Sequence, residues 1–108
     1  MQVREYIDAE GRSPCAGWFD RLNTQAAAKV TTALVRMAHG NLSNTKGVGD
    51  GVFERRINFG PGYRIYFGKD GDTLIILLGG GTKSRQQDDI EAARDLWRDY
   101  RRRIHEEN

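Results

Sequence analysis

The residues of this 108-residue chain best suited to chemistry are cationic and gathered in its middle. Between Glu54 and Arg85 stand six Lys or Arg (Arg55, Arg56, Arg64, Lys69, Lys83 and Arg85) against three acids (Glu54, Asp70 and Asp72), in a chain whose formal charge is only +2. Arg56 and Arg64 fall on adjacent segments joined by a short turn, and if they share a face they stand within reach of one phosphate. Lys83 and Arg85 follow the next segment and lead toward the same area. Arginine forks bind phosphate oxygens at two points, and a tyrosine between them, Tyr66, can stack on a base or hold a hydroxyl. The same residues also fit a solvated strand face laced by an exposed Glu54–arginine pair worth little energy. Composition alone leaves both readings open.

Other chemistries find less support. Two histidines, His39 and His105, lie far apart at helix ends, and with one cysteine they make no metal-ligand set. Nor do they give a Ser/His/Asp arrangement. Cys15 reads as a small residue packed in the first helix rather than a catalytic thiol. Gly79, Gly80 and Gly81 precede Lys83-Ser84 without the spacing of a phosphate-binding P-loop. No apolar run approaches the ~20 residues that span a bilayer, and one cysteine suits a reducing compartment. A soluble, cytoplasmic protein with no cofactor is the expectation.

The elements that position the cationic group are written in the residue pattern. Val52–Phe59, Tyr63–Lys69 and Thr73–Leu78 are rich in β-branched and aromatic residues and are separated by Gly60-Pro61-Gly62 and Asp70-Gly71-Asp72, which predicts an antiparallel meander. Alternation puts Phe53, Arg55, Ile57 and Phe59 on one face of the first strand, and Glu54, Arg56 and Asn58 on the other. Tyr63, Ile65 and Phe67 oppose Arg64 and Tyr66 on the second. One sheet face is therefore expected to be apolar and the other to carry Glu54, Arg56, Arg64 and Tyr66. Val3–Ile7 reads as a fourth strand. Ser13-Pro14 starts a short helix through Trp18, Phe19 and Leu22. Thr24 is expected to cap a second helix, from Gln25 to about His39, with Ala26, Val30, Ala33, Leu34 and Met37 as its stripe and Gly40 at its end. Asn41–Gly51 reads as a loop. Ser84 and Gln87 have capping-box spacing ahead of a terminal helix, roughly Arg85 to His105. Its stripe of Ile90, Ala93, Trp97, Tyr100 and Ile104 is expected against the core, with the last two outrunning it. The fold class is thus α+β: a small, mainly antiparallel four-stranded sheet packed by an N-terminal helical hairpin, plus a C-terminal helix, in the order β-α-α-β-β-β-α, within one domain over residues 1–108.

The run Glu54, Arg56, Ile57, Phe59-Gly60-Pro61-Gly62-Tyr63-Arg64-Ile65-Tyr66-Phe67, followed by Gly79-Gly80-Gly81-Thr82-Lys83-Ser84, Gln86, Asp89-Ile90 and Ala93, resembles the RelE/ParE superfamily of bacterial toxins. It is most similar to the phage-type, HigB-related addiction module killer branch. The Trp18-Phe19 helix and the Gly40-Asn41-Leu42 junction agree, so the resemblance covers nearly the whole chain. It implies the toxin of a type II toxin–antitoxin pair, held inactive by a protein antitoxin, acting on mRNA at the ribosome as a metal-independent endoribonuclease. Carried onto this chain, the basic and aromatic active face is Arg56, Arg64 and Lys83 with Tyr66 and Glu54, while Arg85 and Gln86 are candidates for binding substrate. Homo-oligomers are expected only within the antitoxin complex. Arg55 stands where that branch commonly has an aliphatic residue. Either its side chain snorkels to solvent, or the strand is bulged and the faces shift by one residue.

The fitting mechanism is attack of an RNA 2′-hydroxyl on the adjacent phosphate, giving a cyclic phosphate and a free 5′-hydroxyl. Arg56 and Arg64 would stabilise the developing charge. Lys83 is the candidate for proton transfer, with Tyr66 or Glu54 as alternate or as orienter of the 2′-hydroxyl. No strong base is evident, which suits an enzyme whose ribosomal partner presents mRNA already bent for attack. The resemblance also admits a non-enzymatic gyrase inhibitor like the ParE branch, or a phage-derived binding module without toxicity. On this reading Arg64→Ala abolishes toxicity without unfolding the protein, and growth arrest by that variant would remove the proposed active face.

Overall fold

A computed structural model describes residues 1–107. The elements are β1 (Gln2–Glu5), α1 (Pro14–Asp20), α2 (Thr24–Ala38), β2 (Thr45–Gly49), β3 (Val52–Ile57), β4 (Tyr63–Asp70), β5 (Leu74–Thr82), a 3₁₀ turn at Lys83–Arg85, and α3 (Gln86–Glu107). The α+β class and the C-terminal helix are as expected. The sheet is not: it has five strands in the order β1-β5-β4-β3-β2 and is mixed, because β1 runs parallel to β5 while the other pairs are antiparallel.

The additional strand, β2, lies inside the stretch expected to be a loop. Its glycines have little intrinsic strand preference, yet Thr45, Lys46 and Gly47 pair with Arg55, Glu54 and Phe53. Asp50-Gly51, with φ of 56° and 84°, closes the β2–β3 hairpin as a two-residue turn of the kind that matches strand twist. Val48 packs among the residues under α3, so tertiary burial overrides weak local propensity.

Helix boundaries follow from capping. Ser13 Oγ accepts the Ala16 N–H at 3.0 Å with Pro14 at the first helical position. The second helix is capped by Asn23 rather than Thr24: Asn23 Oδ1 accepts the Ala26 N–H at 2.8 Å, and Thr24 is already helical. At its other end the Gly40 and Asn41 N–H groups donate to Met37 and Arg36 carbonyls, a Schellman closure. The expected Ser84–Gln87 capping box does not form, because Ser84 sits in the 3₁₀ turn with its Oγ 3.1 Å from Thr82 Oγ1.

The sheet is covered on both faces. Trp18, Val30, Ala33 and Met37 of the helical hairpin pack on Tyr63, Ile65, Phe67, Ile75 and Leu77. On the opposite face Ile90, Ala93 and Trp97 of α3 pack on Val52, Tyr66, Ile76 and Leu78. The expectation of an open polar face is corrected for most of its length: Tyr66 and Glu54 lie beneath α3, and only the end bearing Arg56 stays exposed. Of the two α3 residues expected to outrun the sheet, one does not. Tyr100 still stacks on Trp97 at 5.1 Å and donates to Asp70 Oδ2 at 2.6 Å, while Ile104 is exposed.

The glycine run of β5 is a packing device. The strand has one residue more than β4 between the Phe67–Leu77 and Tyr66–Gly79 pairs, a bulge that increases local twist. A Cβ on Gly80 would lie 2.4 Å from the Trp18 indole. Gly80→Ala should therefore cost about 1–3 kcal/mol through overpacking, read as a lower urea midpoint with an unchanged slope.

Candidate active site

Strand register sets the site. Across β3 and β4, Glu54 stands opposite Tyr66 and Arg56 opposite Arg64, and across β4 and β5 Arg64 stands opposite Gly81. The register of β3 with β4 is continuous from Val52 to Ile57, so the faces are as the alternation predicts. Lys83 follows at the same end of the sheet, where its N–H donates to the Gly62 carbonyl at 2.9 Å.

Arg56 and Arg64 thus share a face, but their surroundings differ. Arg64 is 8% exposed; its Nη1 donates to the Gly62 carbonyl at 3.1 Å, and its Nε lies 3.3 Å from Glu54 Oε1 without the alignment of a hydrogen bond. Arg56 is exposed, and among the described residues its side chain has no partner. Like charges directly opposite one another repel, and Glu54 offsets this by holding one of the two.

Glu54 is fully buried and is the hub of the site. Its Oε1 accepts Gln86 Nε2 at 2.7 Å and Tyr66 OH at 3.4 Å, while Lys46 Nζ lies 3.8 Å from Oε2. Gln86 is thereby placed under the first turn of α3, against the carboxylate rather than out toward a substrate. Burial, then the charges of Glu54 and Asp89, push the Tyr66 phenol well above its ordinary range, so it stays a neutral donor. Both groups were expected on an accessible face; the structure seals them under α3. Arg85 is exposed, 4.0 Å from Asp88 Oδ2, and Lys83 is exposed beside it.

Arg55 follows neither expected course. It is 3% exposed on the hairpin face, and its Nη1 donates to the Asn41 carbonyl at 2.8 Å, tying β3 to the end of α2. Burial, with Arg36 nearby, lowers its pKa. Cys15 is buried, as expected, and burial followed by the charge of Glu5 raises its thiol to about 12, far from a reactive thiolate. His39 closes α2 with Nδ1 2.8 Å from the Val35 carbonyl.

Two members of the site went unread in the sequence. Lys46 falls in the stretch expected to be a loop, though the Asp50-Gly51 turn is a signal that the residues before it form a strand. Asp89 stands out in the sequence only as part of the toxin-like run Asp89-Ile90. Its Oδ2 occupies the space left by the absent side chain of Gly81 and has no hydrogen-bond partner among the described residues. Burial raises its carboxyl pKa, with Asp88 adding and Arg85 opposing.

No family model matches the chain. Eighty of its residues, 73% of its length, align at 44% identity with an uncharacterized protein of Haemophilus influenzae, covering 81% of that protein.

A raised carboxyl pKa means the folded state binds more protons than the unfolded one between the ordinary aspartate value of 3.8 and the shifted one. Stability from this group is therefore lost as pH rises through that window. Asp89→Asn should melt at a higher temperature than the parent at neutral pH, and the difference should vanish below pH 3.8. Thermal melts across a pH series check it.

Proposed function

For this chain, which belongs to one family with the uncharacterized Haemophilus influenzae protein, we propose an RNA endonuclease of the toxin–antitoxin type that cleaves mRNA at the ribosome. The observation that carries the reading is the directly opposed Arg56–Arg64 pair at the exposed end of the sheet, with Lys83 beside it. Two guanidinium groups on neighbouring strands, one locked and one free, can meet one phosphate from two sides.

In the proposed step the 2′-hydroxyl oxygen bonds to the adjacent phosphorus and the bond to the 5′-oxygen breaks. The products are a cyclic phosphate and a 5′-hydroxyl. Arg64, fixed by Glu54 and Gly62, and Arg56 stabilise the charge developing on the non-bridging oxygens. Lys83 delivers a proton to the departing 5′-oxygen. The 2′-hydroxyl proton passes to solvent water, since Glu54 and Tyr66 are both buried. Glu54 and Tyr66, both buried, serve as positioning residues, Gln86 holds Glu54 in place, and Arg85 adds cationic charge at the rim.

A protein antitoxin is the proposed partner, with the far end of α3 around exposed Ile104 as its dock, and the cytoplasm is the proposed location. Among the described residues no helix is long and apolar enough to cross a membrane.

Primer extension on mRNA after brief expression tests the activity. Discrete cuts within coding sequence are expected, whereas an SOS response with intact mRNA would replace this reading with gyrase inhibition. Arg56→Ala should lower cleavage about 10²–10³-fold, the usual loss for one charge-stabilising donor, with an unchanged melting temperature because the side chain is exposed and unpaired. Arg64→Ala, by contrast, leaves the Glu54 charge buried without its main cation and should cost about 3–5 kcal/mol, which revises the expectation that this variant stays folded.

A further inference from the structure

We propose that Lys46 is a further substrate-phosphate contact of this site, so that the RNA backbone is gripped from β2 across Arg56 to Lys83. The inference rests on the ribonuclease reading and adds to it a strand and a cation. In register, Lys46 stands opposite Glu54, and Glu54 opposite Tyr66. Directly paired residues project to one face, so Lys46 shares the face of Arg56 and Arg64.

The carboxylate of Glu54 divides between two cations. Oε1 faces Arg64, while Oε2 is buried, accepts no hydrogen bond, and has Lys46 Nζ 3.8 Å away. The Lys46 side chain is nonetheless 58% exposed, whereas Glu54 is sealed. Lys46, Arg56, Arg64 and Lys83 against Glu54 and Asp89 leave the cluster cationic. An exposed lysine at this separation gains little from its pair, so it can turn to a phosphate at small cost while Arg64 stays in place.

Spacing agrees. Lys46 is one strand over from Arg56, about 4.8 Å away, and two residues along, roughly 7 Å. Its long flexible stem and compact charge suit a backbone contact that carries no sequence information. A role confined to neutralising Glu54 would affect folding and leave substrate unaffected.

Binding of a single-stranded RNA oligonucleotide to the full chain, followed by fluorescence anisotropy over a salt series, separates these roles. Lys46→Gln should lower the slope of log K against log salt by about 0.7, the loss of one phosphate contact on a single strand, and Lys46→Arg should restore it. If wild type binds RNA and Lys46→Gln keeps its slope, the proposal is overturned while the ribonuclease reading stands. A lower melting midpoint with the wild-type slope has the same meaning. If wild type itself shows no salt-dependent binding, the ribonuclease reading falls and Lys46 loses its role with it.

Discussion

The buried carboxylate of Glu54 is the constraint on which the arrangement depends. A charge out of water is costly unless it is paired and hydrogen-bonded, and here the partners come from three other elements: Lys46 from β2, Arg64 and Tyr66 from β4, and Gln86 from α3. One side chain therefore connects the edge of the sheet, its centre and the start of the covering helix. The 3₁₀ turn that carries Lys83 and Arg85 leads directly into Gln86, so the same carboxylate also fixes where those cations stand.

This gives the cationic end of the sheet two kinds of arginine. Arg64 is held among polar partners and excluded from most solvent, which preorganises its guanidinium and removes the entropy cost of placing it later. Arg56 is exposed and its side chain has no partner among the described residues. One guanidinium is thus fixed and the other unpaired at the boundary where α3 ends its cover of β3 and β4. Asp89, placed against Gly81 with an unsatisfied oxygen, sits on the closed side of that boundary. Its burial is a small destabilising feature kept within the site.

Much of the fold was legible because its signals are local. The meander, the Ser13-Pro14 start and the stripe of α2 each arise from residues within one element. The alternation of β3 and β4 correctly placed Glu54, Arg56, Arg64 and Tyr66 on a single face. It did not reveal that α3 would cover most of them, because a buried, paired glutamate and an exposed one look the same in a period-two pattern. The stripe Ile90, Ala93 and Trp97 was visible, but its target was not: the face it covers appears polar unless Glu54 and Arg64 are known to neutralise each other. β2 was hidden for a different reason. Glycine supplies no pattern, and only the Asp50-Gly51 turn and one partly buried residue, Val48, mark the strand.

The pairing of Gln2 with Leu74 through Glu5 with Leu77 bears on the order of assembly. Contacts between segments this far apart in sequence carry a loop-closure cost and raise contact order, which slows folding. The β2–β5 hairpins close short loops and need no help from β1, so the arginine pair is drawn together by near neighbours in sequence. The amino-terminal strand must wait for the last hairpin to exist before it has an edge to join. The alignment of the guanidinium pair thus rests on contacts local in sequence, whereas the parallel border of the sheet rests on a distant one.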